Sequence, residues 1–234
     1  MKGIQAPVIL LSRLSSSRLP GKALIVINGT PIIGHIIKRL NYNLGENWGM
    51  VATSVELSDD PLAFYVSSLG VDCFRGSLNN VAERFMKAAL TKGNEYVVRI
   101  TGDSLFIDTA IIEEFVEVAL NTSADLVSNR KYPTYPVGQT VEVVKVSTFV
   151  KEYPKFNKPG HFEHVTQYFY EEDPEYVNII HIKNPNGIHR NLSMAVDTAI
   201  DLEIAERIIN RLGDKVYELD YISIENEYKR ILLG

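Results

Sequence analysis

Short, uninterrupted apolar runs alternate along this chain with segments of helical spacing. Pro7–Leu11 is apolar throughout, as suits a strand buried on both faces. Over Pro31–Leu40, residues Ile32, Ile33, Ile36, Ile37 and Leu40 line one side of a helix. Trp48–Thr53 reads as a strand, and Asp60–Leu69 as a helix with Pro61 in its first turn. Strands at Val71–Phe74 and Tyr96–Ile100 flank a helix over Asn80–Leu90. A helix at Ala110–Leu120 follows Asp108 and Thr109, both good capping residues, and a strand at Asp125–Ser128 comes next. This alternation predicts an α/β fold, a three-layer, mostly parallel sheet with helices on both faces. Right-handed crossovers then put the strand C-termini on one edge, where ligands bind.

The rhythm changes after Lys131. Tyr132–Pro136 is rich in turn residues, Thr140–Lys145 alternates like a strand, and Phe149–Pro159 reads as irregular. His161–Glu171 has the look of a helix and Val177–Ile182 of a strand. Alternation resumes with a strand at Leu192–Val196 and a helix at Thr198–Leu212. Residues 1–234 are therefore expected to form one domain, with 131–190 inserted in it.

Composition narrows the classes. With 24 Lys and Arg against 29 Asp and Glu the chain is acidic overall, which argues against a general nucleic-acid binder. Its apolar runs stop far short of the ~20 residues of a membrane span. Cys73 is the only cysteine, which excludes an intramolecular disulfide framework and a cysteine-built zinc site. A cytoplasmic location is the expectation. The charge is unevenly spread: Lys2, Arg13, Arg18, Lys22, Lys38 and Arg39 all precede the first acid, Glu46. A local cationic cluster of that kind suits a small polyanion, whatever the net charge.

The strongest candidate for chemistry is Ser12–Lys22, which follows the first strand and holds three cations, four serines, a Pro-Gly turn and no acid. Serine hydroxyls and closely approaching backbone N–H groups can hold phosphate oxygens, Arg grips them in pairs and Lys adds a point charge. The familiar phosphate cradles G-x-x-x-x-G-K-[ST] and G-x-G-x-x-G are absent, as are H-E-x-x-H and G-x-S-x-G. His161 and His164, three apart, are a weak metal pair. Asp103 and Asp197 each end a predicted strand, so both can reach one site at the sheet edge. Two carboxylates suit Mg²⁺, which prefers oxygen ligands; capping a helix or closing an Asx turn would explain either one alone.

The stretch Arg13-Leu14-Ser15-Ser16-Ser17-Arg18-Leu19-Pro20-Gly21-Lys22 resembles the nucleotide-binding signature of the sugar cytidylyltransferases. Val51–Ser54, Phe74–Ser77, Val98–Asp103, Glu163–Thr166 and Val196–Thr198 continue the likeness in order along nearly the whole chain. It is nearest the spore-coat polysaccharide branch, with the synthetases of CMP-linked keto-deoxy-octonate and sialic acid more distant. The resemblance implies that Ser12, Arg13, Ser17, Arg18 and Lys22 bind the triphosphate of CTP and that Asp103 and Asp197 hold Mg²⁺. By the same analogy Arg75, Asn79 and Asn80 read the base, while Glu142, Glu163, His164 and Arg190 are the polar groups available to a sugar acceptor. Arg13, Lys22, Asp103 and Asp197 would carry catalysis, CMP being joined to a sugar with release of pyrophosphate. A homodimer built through the insertion is also implied. The chain departs from the pattern at Ser15, Ser104-Leu105-Phe106, Phe162 and Ser193, mostly toward the acceptor side. Two alternatives stay open: another nucleoside triphosphate, or a non-catalytic regulatory protein that binds nucleotide or sugar. A glycosyltransferase is disfavoured because no Asp-x-Asp triplet occurs.

Overall fold

The computed structural model describes residues 5–16, 18–189 and 192–233. Its centre is a seven-stranded sheet built from β1 (Val8–Leu11), β4 (Gly49–Ser54), β5 (Cys73–Gly76), β6 (Tyr96–Thr101), β7 (Leu126–Ser128), β8 (Glu142–Lys145) and β9 (Ile179–His181). The spatial order is β5-β4-β1-β6-β8-β7-β9, and only β8 runs against the others. The small hairpin of β2 (Val26–Ile27) and β3 (Thr30–Pro31) lies apart from it.

Period-two alternation sorts the strand side chains into two cores. Val8, Leu10, Val51, Val98 and Ile100 pack with helices α1 (Ile32–Leu44) and α4 (Thr109–Thr122), and with α8 (Ala199–Leu212). Ile9, Leu11, Ala52 and Val97 face the other way, onto α3 (Val81–Lys92) and the aromatic cluster of Phe85, Phe149, Phe156 and Phe169. The expected three layers are present. Helix starts follow the capping residues: Asp108 accepts from the Ala110 N–H, Asn80 from that of Glu83, and Thr198 forms a reciprocal box with Asp201.

Four elements differ from expectation. Val146–Glu152 is a helix, α5, rather than irregular chain, because burying Phe149 among the aromatic rings outweighs the lack of a side-chain cap. The expected helix over His161–Glu171 is broken into α6 (Pro159–Glu163) and α7 (Gln167–Glu171). At the break Val165 is fully buried with φ +51°, a conformation that β-branched residues resist and that tertiary packing must hold. Leu192–Val196 is no strand: Ser193 makes a single bridge to Val137, and the rest is bends and irregular chain. A final helix, α9 (Tyr221–Leu233), was not foreseen; Asp108 anchors its start by accepting from the Tyr221 N–H. The segment 131–190 does more than decorate the fold, since it supplies β8 and β9 to the sheet itself.

Candidate active site

β1 and β6 are neighbours and parallel, so the loops leaving them meet at the same edge. Gly102, just beyond β6, permits the contact: a Cβ there would lie 2.6 Å from Ser12 Oγ and 3.1 Å from the Leu11 carbonyl. The loop after β1 closes on itself through Gly21, whose left-handed φ of +71° lets its N–H reach the Leu14 carbonyl at 2.9 Å. Its outer anchor is Asp59, which is fully buried. One carboxylate oxygen accepts from the Leu14 N–H at 2.8 Å; the other accepts from Thr53 Oγ1, from the Ser54 N–H and from Ser54 Oγ. Burial pushes this carboxyl up, but the bonds from Ser54, Leu14 and Thr53 outweigh it and hold the group below its ordinary range.

The loop, the end of β6 and the segment before α8 enclose a cavity of about 440 Å³. Lys22 Nζ stands between the two aspartates, 2.7 Å from Asp197 Oδ1 and 3.5 Å from Asp103 Oδ2. Arg18 reaches the other Asp197 oxygen at 2.9 Å. The carboxylates are also tied through the backbone, because the Val196 N–H donates to the Asp103 carbonyl at 3.0 Å. Thr101 Oγ1 donates to Asp103 Oδ1 at 2.7 Å and fixes that side chain. Opposite them, Arg13 pairs with Glu163 and donates to the Leu78 carbonyl at 3.0 Å.

Ser12, Arg13, Arg18, Lys22, Asp103, Glu163, His164 and Asp197 thus line one cavity. Ser17 and Arg190 lie outside the described residues. Glu142 is not available to an acceptor: it is fully buried, pairs with Arg99 across β6 and β8, and accepts from Thr166 and Tyr170. Burial pushes it up, yet Arg99, Arg130 and those hydroxyls keep it ionised below the usual range. The proposed base-reading group is also elsewhere. Arg75 donates to the Ser54 and Glu56 carbonyls and pairs with Asp60, and Asn80 spends its amide on Glu83 N–H and Tyr153 OH. Asn79 is exposed outside the cavity lining.

Two cavity residues escaped the sequence reading, Arg84 and Arg99. Both sit in regular elements where a cation reads as a solvated face. Arg84 is buried, donates to the Ser77 carbonyl, has no partner for Nε and makes no ion pair among the described residues. Burial, and next the charge of Arg13, lower it to about 10. A buried guanidinium without a carboxylate is a standing demand for an anion.

A cationic loop at the edge of a parallel sheet, facing two linked carboxylates, defines the site of a nucleotidyltransferase. The chain belongs to the cytidylyltransferase family, whose sequence model matches residues 7–225. It is 22% identical over 218 residues to the spore coat polysaccharide biosynthesis protein SpsF of Bacillus subtilis, covering 88% of this chain and 87% of that one. With the 3-deoxy-manno-octulosonate cytidylyltransferase of Tolumonas auensis it shares 34% identity over 128 residues, 51% of this chain and 47% of the relative. A cytidylyltransferase structure from Leptospira borgpetersenii superposes with a TM-score of 0.89 at 26% identity, covering 97% of this chain and 94% of that one. No helix among the described residues is long and apolar enough to cross a membrane.

Proposed function

We propose that this enzyme transfers CMP from CTP to a hydroxyl of an acidic sugar, releasing pyrophosphate, in the synthesis of a surface polysaccharide or glycoconjugate. The observation that carries the reading is Lys22 held between Asp103 and Asp197 in a cavity whose Arg84 has no anionic partner among the described residues. The sugar oxygen forms a bond to the α-phosphorus while the bond to the β-phosphate oxygen breaks. Pyrophosphate leaves with the charge, and the hydroxyl proton passes to water. Arg13, Arg18, Lys22 and Arg84 supply the positive field for the triphosphate and for the charge that builds on the leaving group.

The donor set also fits Mg²⁺. Asp103 and Asp197 are hard oxygen ligands that already converge on one ammonium, and substrate phosphate and water can complete six-fold coordination. Bound there, the ion would screen the α-phosphate charge and lower the pKa of the attacking hydroxyl. Cytoplasmic operation as a homodimer belongs to the same proposal.

The test is pyrophosphate release from CTP, UTP, GTP and ATP with Mg²⁺ and a panel of acidic and neutral sugars. Release confined to CTP with an acidic sugar is the expected outcome. Release only with another nucleotide would overturn the base assignment. A CTP-induced rise in melting temperature with no turnover on any sugar would favour the regulatory reading.

A further inference from the structure

Asp103 and Asp197 converge on the Lys22 ammonium although the sheet fixes neither of them. Asp103 stands two residues beyond β6, and the chain ahead of Asp197 has only the single bridge from Ser193 to Val137. One backbone bond joins the two segments directly among the described residues, from the Val196 N–H to the Asp103 carbonyl. A lysine on a flexible stem cannot set their spacing. Another part of the fold must do so.

The tripeptide Val137-Gly138-Gln139 lies between the two segments and holds both. Gln139 is fully buried. Its Oε1 accepts from the Asp108 N–H at 2.8 Å and its Nε2 donates to the Phe106 carbonyl at 2.7 Å, so one amide clasps the loop that begins at Asp103. The same Nε2 lies 3.5 Å from Met194 Sδ, in the segment that leads to Asp197. Val137 grips that segment through its backbone: its N–H donates to the Leu192 carbonyl at 3.0 Å, and its carbonyl accepts from the Met194 N–H at 2.8 Å. Gly138, at φ +92°, lets the chains touch, since a Cβ there would stand 2.7 Å from the Ala195 nitrogen. Asn129 backs the tripeptide from behind. Its Nδ2 donates to the Gln139 carbonyl at 2.7 Å and its Oδ1 accepts from the Val141 N–H at 3.1 Å, which ties the staple to the end of β7 and the start of β8. An apolar side chain would fill the same space without needing partners. A buried amide satisfied at both ends instead admits one geometry.

We infer that Gln139 is a positioning residue, which through Phe106, Asp108 and Met194 sets the separation of Asp103 and Asp197. The inference rests on the proposed function for what the two aspartates do, but not for the staple itself. The cationic loop after β1 is closed by other bonds, from the Gly21 N–H to the Leu14 carbonyl and from the Leu14 N–H to Asp59. Loss of the Gln139 amide therefore disturbs the aspartates and spares that loop.

The experiment compares the full-length wild type with Gln139→Met, which keeps the length and bulk of the side chain but not its amide. A second variant, Gly138→Ala, drives a methyl against Met194 and Ala195. Amide hydrogen exchange is followed first, without nucleotide. In Gln139→Met the Asp108 and Val196 N–H groups should exchange at least about tenfold faster, as for loss of one buried hydrogen bond, while Gly21 keeps its wild-type rate. Gly138→Ala should also speed exchange at Val196. Without Mg²⁺, CTP should raise the melting temperature of Gln139→Met as much as that of wild type; the further rise on adding Mg²⁺ should shrink. In pyrophosphate release, kcat should fall about 10–10²-fold with KM for CTP unchanged, the effect of misplaced groups on a site that still binds nucleotide. Wild-type protection of Val196 in both variants would overturn the inference. So would faster exchange and a lower melting temperature with kcat intact, which would make Gln139 merely structural. Faster exchange at Asp108 and Val196, in a protein whose wild type releases pyrophosphate from no nucleotide, would uphold the staple and overturn the proposed reaction instead.

Discussion

Replacing Asp59 by Asn tests whether a buried carboxylate holds the cationic loop after β1 in place. The wild-type group accepts four hydrogen bonds, from Leu14 N–H on one oxygen and from Thr53 and Ser54 on the other. An amide has one accepting oxygen. If it serves Thr53 and Ser54, the NH₂ meets the Leu14 N–H donor to donor, and the loop loses its anchor. Losing one hydrogen bond to a charged group, about 1.5–3 kcal/mol, together with charge assistance to the rest, gives about 2–4 kcal/mol. For a chain of this size each kcal/mol is worth about 2–4 °C, so the melting temperature should fall by roughly 5–15 °C. The pH dependence has a fixed sign. A carboxyl held below its ordinary range in the folded protein contributes its stability above the unfolded value near 3.8 and loses it as pH falls through the lower folded value. Asp59→Asn should therefore flatten the acid limb of a melting-temperature profile and narrow its gap to wild type at low pH. The assay pairs calorimetric melting between pH 3 and pH 7 with KM for CTP, which should rise as Leu14 moves. A variant that melts within about 1 °C of wild type, with the same acid limb and the same KM, would refute the anchoring argument.

Lys22→Ala should lower kcat/KM by about 10²–10³, the usual effect of removing one stabilising donor from a transition state, with little change in melting temperature; equal loss of both would make the lysine structural. Asp103→Asn and Asp197→Asn should each abolish pyrophosphate release while the circular dichroism spectrum stays native, and retained turnover in either would remove it from the proposed metal-binding pair. Glu142→Gln leaves Arg99 charged in a buried setting and should cost about 3–5 kcal/mol by denaturant unfolding, largely restored by adding Arg99→Met. Gly102→Ala drives a methyl against Ser12 Oγ and the Leu11 carbonyl, so KM for CTP should rise more than stability falls; an unchanged KM would show that the loop can yield.

Apolar spacing made the three layers legible, because a strand buried on both faces and a helix buried on one leave different periods in the sequence. The cationic loop after β1 was legible for a different reason. Eleven residues with three cations and no acid are unusual wherever they occur, and a strand precedes them. Helix α5 and the break at Val165 were not legible. Both follow from aromatic packing among Phe149, Phe156 and Phe169, residues that local spacing cannot bring together. The strand expected at Leu192–Val196 failed likewise, since apolar residues mark burial and say nothing of whether a ladder partner is within reach.

By itself, then, the amino-acid sequence determined the α/β architecture, the sheet edge at which the loops gather, the cationic loop and the two aspartates that face it. Those properties are local, or follow from a repeating pattern that topology carries to one edge. Tertiary structure alone decided which polar groups are spent and which are available. Glu142 and Arg75 look as reactive in sequence as Arg13 or Lys22, but their neighbours across the sheet and loop consume their bonding capacity. Arg84 looks ordinary, and becomes distinctive only because folding buries it beside a cavity with a donor unpaired among the described residues. Whether a hydrogen bond is satisfied depends on atoms far away along the chain, and only the folded chain sets where those atoms lie.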